Sequence, residues 1–358
     1  MSILFCGIDF HKNTCSICIV DETGKVVESH TKKTEGVVKF LANYKFEKIG
    51  VEASGGVNDF ATKLITSGHK VDIIDPKAFR LVGMNGKKTD KKDARAIAEC
   101  LRLNFIPKVH LKSRRSRELK SLLMSREMTV TSRVNICNHI RGTLREYGLP
   151  IPAGKEKFFE EVSGSINQVE NGHIRATLFE LLELAKNLIG KENDIERRIK
   201  ELNEDDEKIK RLQTIPGVGL MTSTAMVSVV DDISRFKRAK DFASYVGLVP
   251  GEKSSGDKRR MGSITKSGSE ILRRYLIHGA RSVLMHAHKS EDPNIKWAFK
   301  LKERIGMNKA TVALAHRMGR IAYCLFRDET TYGEIKKEHR ADAAKNFSGD
   351  SSKIKSAA

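Results

Sequence analysis

The chain has 358 residues, 39% of them hydrophobic and 31% charged, with a formal net charge of +20 at pH 7. That length holds two or three domains, and the excess of cations fits a polyanionic partner such as nucleic acid, the rival reading being generic solvated lysine. No run is apolar enough to span a membrane, the N-terminus lacks a signal-peptide pattern and the six cysteines make no disulfide framework, so membrane and secreted classes give way to a cytoplasmic protein.

Residues 3–8 read as a buried strand ending in Asp9. Residues 15–20 and then Lys25 to His30 read as second and third strands, with Asp21-Glu22-Thr23-Gly24 as the turn. Cys15 and Cys18 are spaced like half a zinc site, but no second Cys/His pair completes it, and they read as buried thiols. Gly36 to Tyr44 has the spacing of a short amphipathic helix. Ile49-Gly50-Val51 is a strand ending in Glu52, a Gly-Gly break leads into a helix through Leu64 and Ile65, and Lys70 to Ile74 is a strand stopped by Asp75-Pro76. Strands followed by alternating helix and strand predict a mixed sheet with helices packed on it.

Thr89 is placed to cap a helix from Asp90 to about Leu103, with Ala94, Ile97, Ala98 and Leu101 on its apolar face. Asp90 and Asp93 are i and i+3 and share a face. Acids in a first helical turn suit the helix dipole on their own account. Together with Asp9 and Glu52 they read as a site for Mg²⁺, with Mn²⁺ as the alternative ion. Residues 1–112 are accordingly expected to be a metal-binding α/β domain.

From Ser116 to Tyr147 the pattern predicts one long helix, basic on its outside through Arg117, Arg126, Arg133, Arg141 and Arg145, and broken by Leu149-Pro150-Ile151-Pro152. After a loop, His173 to Gln213 reads as a second long helix. Leu181, Ala185, Leu188, Ile195, Ile199, Leu202 and Ile209 keep an alternating four/three step that Glu192 and Asp206 interrupt. Residues 113–212 are therefore expected to form a coiled-coil arm that also serves as an oligomer contact. Charge is uneven: residues 101–150 hold 11 Lys and Arg against 3 acids, 151–210 hold 10 against 14, and 211–330 hold 22 against 11. The basic excess lies on the first arm helix and on the last folded domain.

That domain, residues 213–330, opens with Ile215-Pro216-Gly217-Val218-Gly219 and a helical run from Thr222 to Val230, the pattern of a helix-hairpin-helix. Gly217 and Gly219 would let backbone N–H groups approach a phosphate closely, and a plain helix–helix turn is the alternative. Phe242 to Val246, Gly247-Leu248-Val249-Pro250 and a polar loop from Gly251 to Ser263 follow, then helices at about 269–286 and 308–326. The tail 331–358, rich in Lys, Ala and Ser, is expected to be disordered.

The carboxylate order, one Asp in the first strand, one Glu in a later strand and Asp-x-x-Asp on a helix, fits a ribonuclease H-like, RuvC-like site that clamps two Mg²⁺ roughly 3.5–4 Å apart. A second cluster surrounds Ser254 and Ser255: Lys258, Arg259, Arg260, Lys266 and Arg273 could hold phosphate oxygens. From the residues alone this loop either grips phosphate or supplies a serine nucleophile, and no His lies nearby in sequence to act as base. Arg126, Arg133 and Arg141 are candidate contacts to a DNA duplex or an A-form backbone. Three functions remain open on this reading: a recombinase using the serine, a RuvC-like nuclease using metal-activated water, and a non-catalytic nucleic-acid-binding protein.

Gly7-Ile8-Asp9, Val51-Glu52-Ala53-Ser54-Gly55, Lys88-Thr89-Asp90-Lys91-Lys92-Asp93-Ala94, Ile215-Pro216-Gly217-Val218-Gly219, Gly247-Leu248-Val249-Pro250, Ser255-Gly256 and Ile264-Thr265-Lys266-Ser267-Gly268 follow one another in order. In this the chain, over about residues 3–327, resembles the Piv-like DEDD insertion-sequence transposases, the bridge-RNA-guided serine recombinases. The resemblance implies that Asp9, Glu52, Asp90 and Asp93 are the DEDD metal ligands and that Ser255 is the nucleophile, with the adjacent Ser254 keeping that assignment open. It implies a serine linked to a DNA 5′ phosphate, a site shared between subunits of a dimer or tetramer, donor and target DNA as substrates, a structured bridge RNA as guide, and a prokaryotic cytoplasm as the setting. Ser54 stands where a Thr is common, and Asp257 places an acid in the basic loop.

Overall fold

Three consecutive strands, β1 (Leu4–Phe10), β2 (Thr14–Asp21) and β3 (Val26–Lys33), fold as antiparallel hairpins, with Ile8 opposite Ile17 and Ile17 opposite His30. In the computed structural model of the chain, residues 3–76, 89–105, 108–252 and 260–334 are described. β4 (Lys48–Glu52) and β5 (Val71–Ile74) extend the sheet in parallel on the far side of β1, and β6 (Lys108–Val109) closes it antiparallel, giving the order β3-β2-β1-β4-β5-β6. Each expected strand is present, one to three residues longer or shifted at its ends.

The pleat sends alternate residues to opposite faces. One face carries Cys6, Ile8, Phe10, Cys15, Ile17, Ile19, Ile49, Val51 and Ile73, and it is covered by α1 (Thr34–Leu41) through Val37 and Leu41 and by α2 (Val57–Thr66) through Phe60, Ala61 and Leu64. The other face carries Cys18, Val20 and Ile74 and receives α3 (Asp90–Arg102) through Ala94, Ile97 and Ala98. Cys15 and Cys18 are therefore buried in different clusters on opposite sides of β2, the buried thiols expected from the sequence.

Contacts gather the chain into two units, Met1–Ser113 and Arg114–Ala358. Among the described residues, the second is helical apart from one two-stranded hairpin and its connecting turns. Its long α4 (Arg114–Glu146) runs against α6 (Gly172–Leu202), and α5 (Lys155–Asn167) fills the far end, where Cys137, Ile140, Leu144, Phe158, Val162, Ile166, Leu178 and Leu182 make one apolar cluster. Two sequence expectations need correction. The stretch after Pro152 is not simply a loop, because α5 forms there around Phe158, Val162 and Ile166. The second long helix does not run to Gln213: it stops at Leu202, and Asp206 caps α7 (Glu207–Gln213) by accepting from the N–H groups of Lys208 and Ile209.

Arg133 does not face outward as the sequence pattern implied. Its guanidinium donates to Glu192 Oε2 at 3.0 Å, and both residues are under 10% exposed. Arg126 joins them, donating to Glu196 at 2.6 Å and lying 3.7 Å from Glu192. Glu192, the charge that breaks the apolar step, is thus the partner of arginines across the helix pair. Among the described residues no helix is long and apolar enough to cross a membrane.

A buried pair is held to its geometry because breaking it strands a charge, whereas replacing both partners need not destabilise. Glu192→Ala is expected to lower unfolding stability by about 3–5 kcal/mol, and the double variant Arg133→Leu/Glu192→Leu to recover most of that loss in urea denaturation.

Candidate functional site

Close approach of α3 to the sheet positions the first unit's carboxylates. A Cβ at Gly7 would fall on the Ala94 carbonyl oxygen and 2.5 Å from the Ala98 amide nitrogen, and one at Gly50 would stand 2.8–2.9 Å from Ile97, Ile74 and Leu101. These two glycines lie side by side in register on β1 and β4, so they form a floor on which α3 rests, its backbone against Gly7 and its Ile97 and Leu101 side chains against Gly50. Any larger residue there would lift the helix.

Asp9 and Glu52 each follow the last β1–β4 pair, Ile8 with Val51, on neighbouring parallel strands. Both alternate with the floor glycines, so both leave the sheet on the α3 side. Thr89 caps α3 by accepting from Lys92 N–H, which sets Asp90 and Asp93 in the first turn at that same sheet end. Ser54 Oγ donates to Phe10 O at 3.0 Å and ties the chain after Glu52 to the end of β1.

Asp9 is only 5% exposed. Burial pushes its carboxyl above the usual range, the charge of His11 opposes that, and Asp90 and Asp93 push it further up, which places all three acids within electrostatic reach. His11, in the turn after β1, completes the group: its Nε2 lies 3.4 Å from Asp9 Oδ2 and 3.9 Å from Asp90 Oδ2. Sequence reasoning missed His11, although its place two residues after Asp9 is the signal that could have found it. Asp9, His11 and Asp90 each offer a ligand atom, all within 4.8 Å of one another. Hard carboxylate oxygens pressed together around a buried acid form a donor set suited to a divalent cation.

In the second unit the expected residues divide into distinct environments. Gly217 has φ +83°, and a Cβ there would meet Gly279 O at 2.7 Å and Val283 at 2.6 Å, so it locks the 214–219 turn onto α10 (Glu270–Met285). Gly219 heads α8 (Leu220–Val230) with open space beside its Cα. Next to it, Arg197, Lys200, Glu196 and the first turn of α8 line a shallow cavity of about 440 Å³.

Ser254, Ser255, Lys258 and Arg259 lie outside the described residues. The strands on either side of them, β7 (Pro250–Glu252) and β8 (Met261–Ile264), pair antiparallel. The base of that hairpin is a close backbone crossing. Thr265 N–H donates to Val249 O at 2.9 Å, Lys266 N–H donates to Gly247 O at 3.2 Å, and a Cβ on Gly247 or Gly268 would fall on Ser267 O or Tyr245 O respectively. Arg260 and Lys266 are exposed. Arg273 is not: buried to 9% exposure, it donates to Val246 O at 3.1 Å and Ser267 O at 3.4 Å, bracing the crossing. Arg141 lies over the Phe158 ring and donates to Gly154 O at 2.8 Å, and Arg126 and Arg133 are held by Glu196 and Glu192. Four of the arginines read as nucleic-acid contacts thus spend their guanidinium groups inside the unit.

Comparison with known proteins gives matches in both units. A family model described as "Transposase" and named for DEDD transposases of the IS110 type matches residues 6–149, and one described as "Transposase IS116/IS110/IS902 family" matches residues 209–294. The chain is 33% identical over 329 residues to the transposase for insertion sequence element IS1111A of Coxiella burnetii, covering 91% of this chain and 90% of that protein. It is 30% identical over 336 residues to a probable family 20 transposase of Pseudomonas aeruginosa, covering 93% and 99%. At 25% identity over 346 residues it is also similar to a pilin gene-inverting protein of Moraxella lacunata, covering 93% and 98%.

Gly7→Ala is expected to displace α3 and lower stability by about 1–3 kcal/mol, measured by chemical denaturation, with activity lost even at temperatures where the variant remains folded. The raised carboxyl of Asp9 binds its proton more tightly folded than unfolded, so its contribution falls away as pH rises through that raised value and is unfavourable at neutral pH. Asp9→Asn should therefore raise the metal-free thermal midpoint at pH 7. A divalent cation at a hundred times its Kd should stabilise the unsubstituted chain by about 2.7 kcal/mol and leave Asp9→Asn unmoved.

Proposed function

The chain belongs to the IS110/IS116 family of DNA transposases, and from that premise we propose that it cuts and rejoins DNA through a serine nucleophile working with a Mg²⁺ site of four carboxylates. The observation that carries this reading is the buried Asp9 with Asp90 and Asp93 pressing on it at one sheet end. The strand order, with two antiparallel hairpins followed by parallel β4 and β5, supports a ribonuclease H-like, RuvC-like fold for residues 1–112. Asp9, Glu52, Asp90 and Asp93 would hold the ion. When bound it supplies Lewis-acid stabilisation of charge on the reacting phosphate.

The protein's own groups do the remaining work. Ser255 Oγ, or that of Ser254, attacks a DNA phosphorus: the Oγ–P bond forms, the P–O3′ bond breaks, and a 5′-phosphoserine and a free 3′-hydroxyl result. Lys258, Arg259, Arg260 and Lys266 hold non-bridging phosphate oxygens around that serine. The 214–219 turn, with Gly219 heading α8 beside Arg197 and Lys200, supports a helix-hairpin-helix contact to the DNA backbone in residues 213–330. Residues 113–212 are the helical arm through which copies associate, as a dimer or tetramer, so that the serine of one can meet the carboxylates of another. The formal charge of +20 supports a large polyanionic load, here donor and target DNA together with a structured bridge RNA whose base pairing selects the sequence.

The test is capture of the covalent intermediate. Incubated with labelled DNA and Mg²⁺, the unsubstituted chain should yield a protein–DNA adduct that survives denaturation and disappears in Ser255→Ala or, if the neighbour attacks, in Ser254→Ala. Normal nicking by the Ser254→Ala/Ser255→Ala double variant would refute the serine and leave a RuvC-like nuclease that uses water.

A further inference from the structure

His11 is fixed by the turn that carries it. Its N–H donates to Thr14 O at 3.1 Å, and its carbonyl accepts from Thr34 Oγ1 at 2.9 Å. Both bonds are made by the backbone, which leaves the ring unclaimed by the turn itself. Nε2 stands between two acids from different elements, 3.4 Å from Asp9 Oδ2 on β1 and 3.9 Å from Asp90 Oδ2 on α3. A charge-assisted N–H···O hydrogen bond is shorter, about 2.7–2.9 Å. Two ligands of one ion with bonds of about 2.1 Å stand about 3 Å apart at right angles and about 4.2 Å apart when opposite. Both observed spacings fall inside that window, the arrangement expected of donors that share an ion.

We propose that His11 supplies a nitrogen ligand to the divalent cation held by Asp9 and Asp90, making this a mixed carboxylate–imidazole site that favours Mn²⁺ over Mg²⁺. The proposal rests on the carboxylate reading above. Mg²⁺ is bound almost wholly through oxygen and gives up its water reluctantly, whereas an imidazole nitrogen suits a transition ion. His11 enters from a fixed turn, Asp9 from a strand and Asp90 from the first turn of a helix, so three backbone anchors converge on one point. The His11 side chain is 55% exposed, so its removal should leave the fold intact.

The test loads the full chain with Mn²⁺ and reads both affinity and the electron spin echo of the bound ion. The unsubstituted chain should bind Mn²⁺ more tightly than Mg²⁺ and show modulation from a directly bound ¹⁴N nucleus. His11→Ala should lose the nitrogen modulation and weaken Mn²⁺ about tenfold, a size typical of losing a group that tunes a metal site, with Mg²⁺ affinity changed less than about threefold. Stoichiometric Mn²⁺ without nitrogen coupling in the unsubstituted chain, or coupling that persists in His11→Ala, would overturn the nitrogen ligand while leaving the carboxylate site standing. Absence of Mn²⁺ binding, or binding unaltered by Asp90→Asn, would overturn the carboxylate site and the proposal together.

Discussion

Everything about the first unit depends on how near α3 can come to the sheet. Gly7 and Gly50 remove the side chains that would otherwise separate them, and Ala94 and Ala98 are the small residues that meet the gap from the helix. At that separation the capped helix start brings Asp90 to the end of β1, where Asp9 and His11 stand. Acids placed there repel one another, and burial of Asp9 adds to the strain on the charged form. A fold stabilised only by its apolar faces would gain nothing from such a cluster. A cation turns the same repulsion into binding energy.

The second unit uses the same device for a different end. Gly217 meets Gly279, and Gly247 and Gly268 meet the backbone at Ser267 and Tyr245, so turns close against helices with no side chain between them. These crossings fix the 214–219 turn on α10 and the stem of the 250–264 hairpin, the two places proposed to touch DNA. Arg273, buried and bonded to two carbonyls, belongs to that bracing. Between the apolar clusters of the helical arm, Arg133, Arg126, Glu192 and Glu196 form a polar joint in which every charge has an opposite partner.

The sheet was legible because short apolar runs bounded by turn residues are local signals, and α3 because Thr89, Asp90 and the 94/97/98/101 stripe state both its cap and its face. The carboxylates were legible as a set because each sits at a strand or helix end. How closely Asp9 and Asp90 approach one another was not, since it depends on the Gly7 and Gly50 floor, a contact between residues far apart in sequence. The helix Lys155–Asn167 was hidden by Gly154 and Gly164 and by the lack of a capping side chain, although Phe158, Val162 and Ile166 keep a four-residue step. Pro293–Ile305 has its start signal in Asp292-Pro293, a capping acid followed by a proline in the first turn. The arginines misled because charge alone does not say which way a side chain points: Arg133 answers a buried Glu192 some sixty positions away, and nothing local distinguishes it from Arg117 or Arg145.

Diffraction from crystals of the full chain grown with Mn²⁺, recorded at the manganese absorption edge, tests the central claim most directly. An anomalous peak within about 2.2 Å of carboxylate oxygens from both Asp9 and Asp90, with the start of the 90–102 helix resting on Gly7, is the predicted result. No peak at that sheet end, or a helix start drawn away from the strands so that the acids point apart, would contradict it.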